Sequence, residues 1–168
     1  MLSLYLVRHA HAEPRGPRWP DDAVRPLTAS GRRRFSTLLL KPAVRRAGIE
    51  LVLTSGLDRA TETAAMLAAS CRTRPPVRLC RALEPGHDPD DVVRALRRRP
   101  GAGRLALVGH EPDLSRLFTH LTGQGPPVAF RKGGVWRLRV RTPVIAGSGR
   151  LVWARWPGPA AVRVAIPS

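Results

Sequence analysis

In the stretch LVRHAHAE (residues 6–13), one arginine and two histidines, His9 and His11, follow directly on an apolar run. Further along, Arg59 lies in SGLDRATETA, Glu84 and His87 in LEPGHD, and His110 in GHEP. Together these residue types suit phosphoryl chemistry. A guanidinium presents a planar fork of donors that fits phosphate oxygens. An imidazole nitrogen can attack phosphorus and carry the phosphoryl group as a covalent intermediate, provided that nitrogen is unprotonated. Guanidinium groups nearby favour the neutral ring. They also stabilise the charge spread over the phosphoryl oxygens in the transition state. One arrangement would thus activate the nucleophile and bind the substrate.

Whether these residues meet depends on the elements that carry them. LSLYLV (2–7), LVLTS (51–55), VRLC (77–80) and RLALVG (104–109) are short apolar runs that read as buried strands. Between them lie helical patterns. The first is capped by Thr28 or Ser30 and runs to about residue 46. The second opens on a Ser55/Asp58 capping box and reaches about Ser70. The third has Asp88 as cap and Pro89 at its first position, with Pro100 as its stop. The fourth begins at Pro112, carries Leu114, Leu117, Phe118 and Leu121 on one face, and ends at Gly123. Residues 13–26 are a loop by their prolines.

Repeated strand–helix units imply an α/β fold: a three-layer α/β/α sandwich with a mostly parallel, mixed central sheet in one domain over residues 1–168. VWRLRVR, LVWARW and VRVAI (162–166) extend the sheet, with at least one antiparallel pairing. Ligands of open α/β sheets bind beyond the carboxyl ends of the strands. Arg8-His9, Arg59, Glu84 with His87, and His110 each follow such an end, so a parallel sheet gathers them at one edge.

At this point the residues carry a family resemblance. LVRHAHAE resembles the R-H-G/A signature of the histidine phosphatase superfamily, whose fold is phosphoglycerate-mutase-like. RPLTASGRRR, TSGLDRATETA and LVGHEP resemble, in order, the other blocks of its SixA-type phosphohistidine phosphatase branch. The resemblance implies that His9 accepts the phosphoryl group and that Arg8, His9, Arg59 and His110 form the phosphate pocket. It implies a metal-independent, cofactor-free hydrolase acting on a phosphohistidine borne by a protein. Two positions depart from the pattern: Gly56 stands where relatives have proline, and Ala10 where many have glycine.

Glu84 is the candidate general acid for a second expectation, a phosphatase of small phosphate esters. Glu13 is a weaker rival for that role. His9-x-His11 is not read as a metal pair, because Glu13 is the only further ligand nearby. Arg25 is expected at the pocket rim, and Arg32, Arg33 and Arg34 on a solvated basic face.

The chain has 168 residues and a net charge of +17, carried almost wholly by arginine, with Lys41 and Lys132 as its lysines. Such a field attracts anions, and a third expectation is a non-catalytic polyanion binder. Nucleic acid is disfavoured as partner, because Trp136 falls on the strand face opposite Arg137, Arg139 and Arg141. Cys71 and Cys80 fit neither a disulfide framework nor a zinc site. No apolar run reaches membrane-spanning length and no signal segment is seen, so a cytoplasmic protein is expected.

Overall fold

The computed structural model describes residues 1–99 and 101–158. The expected helix stop at Pro100 and the expected strand at 162–166 lie outside the described residues. The described chain forms strands β1 (Leu2–Arg8), β2 (Leu51–Thr54), β3 (Val77–Leu79), β4 (Arg104–Gly109), β5 (Val135–Val140) and β6 (Gly149–Arg155). Its helices are α1 (Ala29–Leu39), α2 (Pro42–Arg45), α3 (Asp58–Ser70), α4 (Pro89–Arg97) and α5 (Asp113–Thr122). The strands make one mixed sheet in the order β3-β2-β4-β1-β5-β6. Pairings among β1 to β4 are parallel, and β5 runs antiparallel to both β1 and β6.

Strand alternation sends side chains to two faces, and each face has its own core. Leu2, Leu4, Leu6, Leu53, Leu105, Leu107, Trp136 and Leu138 pack with α4 and α5. Tyr5, Val7, Val52, Ala106 and Val108 pack with α1 to α3 on the other side. Both faces of the parallel strands are therefore covered, which is why they read as continuous apolar runs. Trp136 is fully buried, stacked on Phe130. Arg139 and Arg141 are exposed, whereas Arg137 is partly buried beside Tyr5. Among the described residues, no helix is long and apolar enough to cross a membrane.

Helix ends follow their local chemistry. Asp88 caps α4 through the Asp90 amide, and Gly123 ends α5 in the left-handed region at φ 73°. Two expectations are corrected, the helix end and the Ser55 cap, while of the two expected caps for the first helix Thr28 is the one used. The helix predicted to reach residue 46 ends at Leu39 and restarts as α2, because Pro42 lacks the amide and disfavours a helical residue before it. Its cap is Thr28, whose hydroxyl accepts from the Gly31 amide at 2.8 Å. The Ser55/Asp58 capping box does not form: α3 begins after Leu57 without a side-chain cap.

Gly31 fixes how α1 meets the loop after β1. A Cβ there would fall well inside contact distance of the His11 carbonyl oxygen and 3.0 Å from Thr28 Oγ1. That carbonyl also accepts from the Thr28 amide at 3.0 Å, so it cannot withdraw freely. We expect Gly31→Ala to destabilise by roughly 1–3 kcal/mol, despite alanine's higher helix propensity. This corresponds to a Tm lower by about 2–10 °C in a thermal melt. Gly16→Ala, where a Cβ meets nothing within 4 Å, serves as the neutral control.

Candidate active site

Sheet register assembles the centre of the site. Arg8 at the end of β1 lies opposite Gly109 at the end of β4, and Thr54 at the end of β2 lies opposite Val108. The next residues, His9, Ser55 and His110, therefore emerge side by side. The His9 amide bonds the Gly109 carbonyl at 3.1 Å, and the two imidazole rings are 5.2 Å apart between centroids. His9 is 7% exposed and His110 is 4% exposed.

The His9 tautomer follows from its partner. Nδ1 lies 2.7 Å from the Ala10 carbonyl oxygen, which can only accept, so Nδ1 carries the proton and Nε2 keeps its lone pair. His110 Nε2 is 2.7 Å from Ser55 Oγ, so that hydroxyl is turned to the ring, two residues ahead of the α3 cap position. When Ser55 donates, the His110 proton sits on Nδ1, a buried atom with no partner among the described residues. It would then be a free donor for an anion.

Three arginines surround this pair, and each is held by a main-chain carbonyl. Arg8 donates to Phe130 O at 2.7 Å, from the segment before β5. Arg59, in the first turn of α3 and 3% exposed, donates to Asp22 O at 2.7 Å and to its carboxylate at 2.8 Å. Arg25 donates to Asp22 Oδ1 at 2.8 Å and to Glu13 O at 2.6 Å. Arg25 is buried at 8% exposure, so its expected place at the rim is corrected: it braces Asp22. The Arg8 and Arg59 Nε atoms are buried with no partner among the described residues. Guanidinium donors thus remain unspent beside the imidazoles.

The electrostatics follow from this packing. Burial lowers the His9 pKa most, and His110, Arg59 and Arg8 add to it against the Ala10 hydrogen bond; the result is about 3. Burial, then Arg59, brings His110 to about 4. Both rings are neutral at pH 7. Burial alone would raise the Asp22 carboxyl, but hydrogen bonds and charge from Arg25 and Arg59 bring it down to about 2. Lys132 is lowered by burial and by Arg8, Arg25 and Arg59, which puts its ammonium within the field of the pocket.

The other sequence candidates fall around this centre. Glu84 follows a short turn, Arg81–Leu83, and its Oε1 lies 3.5 Å from where a Cβ on Gly56 would stand, next to Ser55. His87 is not among the gathered groups: its Nδ1 is 3.5 Å from Asp91 in α4. The carbonyl of His11 anchors α1, while its ring is half-buried near Lys132 and Arg34. Glu13 supplies a carbonyl to Arg25 rather than its carboxylate. Arg32 is not simply solvated but bonds Glu62. Among the described residues no three His, Cys, Asp or Glu groups stand close enough to hold a metal ion.

Asp22, Ser55, Thr63 and Lys132 are the residues that sequence reasoning missed. Thr63 Oγ1 accepts from the Ala10 amide at 3.1 Å and donates to Arg59 O at 2.7 Å, tying the His9 loop to α3. A basic residue three after Asp22 was the available signal for a local ion pair.

A model of the histidine phosphatase superfamily (branch 1) matches residues 4–84. An uncharacterised protein of Picosynechococcus sp. is 34% identical over 82% of this chain and 85% of its own length. Among solved structures, the protein histidine phosphatase SixA complexed with tungstate superposes with a TM-score of 0.81 at 22% identity, covering 93% of this chain and 97% of that one. A mycobacterial glucosyl-3-phosphoglycerate phosphatase does so with a TM-score of 0.65 at 16% identity, covering 91% and 99%.

The buried neutral rings have a direct signature. In NMR spectra of histidine-labelled protein, His9 and His110 should keep neutral-imidazole shifts from pH 8 to about 5, where an unperturbed histidine with a pKa of about 6.5 is mostly protonated. A titration midpoint near 6.5 for either ring would contradict the burial described here.

Proposed function

Because this chain belongs to the histidine phosphatase superfamily, we propose that it is a metal-independent phosphatase working through a phosphohistidine enzyme intermediate. The observation that carries the reading is the His9 ring: buried, neutral, proton fixed on Nδ1, lone pair on Nε2, with arginine donors beside it. Arg8, Arg59 and His110 hold the phosphoryl oxygens. Nε2 attacks phosphorus, and the Nε2–P bond forms as the bond from phosphorus to the leaving group breaks. Water then attacks the same phosphorus, the electron pair returns to Nε2, and inorganic phosphate departs. The guanidinium groups stabilise the spread negative charge in both steps.

The substrate in this reading is a phosphohistidine on a protein. Support comes from the likeness to a solved protein histidine phosphatase. It comes also from the chemistry of the leaving group, since a phosphoramidate needs less help from an acid than an alkyl ester. Incubation with 32P-labelled phosphohistidine peptide should leave label on the wild-type chain and none on His9→Ala. The variant should lose at least about 10³-fold in turnover. EDTA should leave the wild-type rate unchanged. Full activity of His9→Ala overturns the proposal.

A second reading, hydrolysis of small phosphate esters, is favoured by the place of Glu84. Its carboxylate lies against the Ser55–Gly56 loop, one residue from the hydroxyl that holds His110. There it would protonate a departing alkoxide. Glu84→Gln separates the two readings. A fall of about 10²-fold on alkyl phosphates supports the ester reading. Little change on phosphohistidine peptide, with alkyl phosphates remaining poor substrates for the wild type, supports the first.

A further inference from the structure

A groove of about 680 Å³ opens between the edge strand β3 and helix α4, outside the site described above. Leu79, 67% exposed, lines it together with Ala82 and Ala95. Four arginines line it as well. Arg94 bonds Asp91, and Arg99 donates to Ala95 O at 2.6 Å. Arg81 and Arg98 are exposed and have no carboxylate partner among the described residues. Asp91 is the one acidic residue of the lining, and Arg94 and His87 already engage it.

The groove begins at the edge of the sheet that also carries His9 and His110. Ala82 and His87 line it, and the same two residues line the small cavity that reaches Gly109 and His110. Cys80, Arg81 and Ala82 follow the carboxyl end of β3 as His9 and His110 follow those of β1 and β4, so a protein bound at that edge of the sheet meets both. Arginines without carboxylate partners and an exposed leucine along one groove fit an extended segment with acidic side chains and an apolar one between them. Phosphate recognition is common to all phosphorylated substrates, so such a segment is where one phosphoprotein would differ from another.

Resting on the phosphoprotein reading above, we infer that the β3–α4 groove docks an acidic segment of the substrate protein. The segment lays an apolar side chain on Leu79 and gives carboxylates to Arg81 and Arg98. The surface raises affinity for the carrier and takes no part in phosphoryl transfer.

The test uses the wild-type chain and two charge-matched variants. One is Arg81→Glu with Arg98→Glu in the groove; the other is Arg139→Glu with Arg150→Glu on β5 and β6, also exposed. Fluorescence anisotropy follows a labelled, unphosphorylated peptide rich in Asp and Glu with one central leucine. The groove variant should weaken binding about tenfold and the control variant by less than about threefold, because both change the overall field equally. Equal weakening, or none, overturns the inference. An oligothymidylate that discriminates between the variants in the same way also overturns it, since the groove would then take any polyanion. Hydrolysis of p-nitrophenyl phosphate should be the same for the groove variant and the wild type; a loss there would move these arginines into the catalytic site and overturn the docking role. Peptide binding is read without turnover. An inactive wild-type chain would therefore defeat the proposed function while leaving the groove result legible.

Discussion

A buried imidazole can sit among guanidinium groups only while it is uncharged. This constraint governs the end of the sheet where β1, β2 and β4 stop. Burial and the neighbouring cations push His9 and His110 in the same direction, towards the neutral form. Neutrality in turn allows the cations to stay close, because no ring charge repels them. The hydrogen bond to Ala10 O acts the other way on the pKa, and its role is geometric: it fixes which nitrogen is free. In the proposed mechanism such a ring needs no separate base, since Nε2 already holds its lone pair at pH 7.

The cations face the converse problem. Arg8, Arg25 and Arg59 repel one another, and burial costs each of them hydration. The fold answers with carbonyl oxygens from two segments: Phe130 before β5 for Arg8, and Glu13 and Asp22 of the 13–26 loop for Arg25 and Arg59. One carboxylate, Asp22, serves both Arg25 and Arg59. Its low pKa is the other side of that arrangement, because removing the charge would leave two buried guanidinium groups without their shared counter-ion. The loop from residue 13 to 26 thus has a structural duty that its irregular sequence conceals.

Which parts were legible in the sequence follows from how local their causes are. The strand cores were readable because parallel strands covered on both faces must be apolar throughout, as Leu4, Leu6, Leu105 and Leu107 are. Asp88 and Gly123 were readable because capping needs only neighbours in sequence. Ser55 misled for an equally physical reason. Its spacing from Asp58 satisfies a capping box, but α3 starts at Asp58 with Leu57 at the cap position, and the register of β2 against β4 turns the Ser55 hydroxyl to His110 at 2.7 Å. Only the local spacing, and not the long-range partner, is visible in a string of residues. Arg25 and Asp22 were obscured likewise, since the burial of Arg25 and the Asp22–Arg59 pair depend on α3 packing against the loop that carries them.

In the proposed function, specificity sits apart from this machinery. There the groups around His9 address phosphoryl oxygens, which are alike in every phosphorylated molecule, so they bind without discriminating. Discrimination requires contacts to the rest of the substrate. The turn Arg81–Leu83 stands where these two demands meet: Glu84 follows it beside the Ser55 loop, and Arg81 and Ala82 face the β3–α4 groove. A short edge strand serves here better than a long one. Three residues of β3 leave little unpaired backbone to invite indiscriminate strand addition, and the exposed arginines beside it repel a second copy of this basic chain. The same charges that keep such copies apart leave an acidic chain as the partner that the groove can hold.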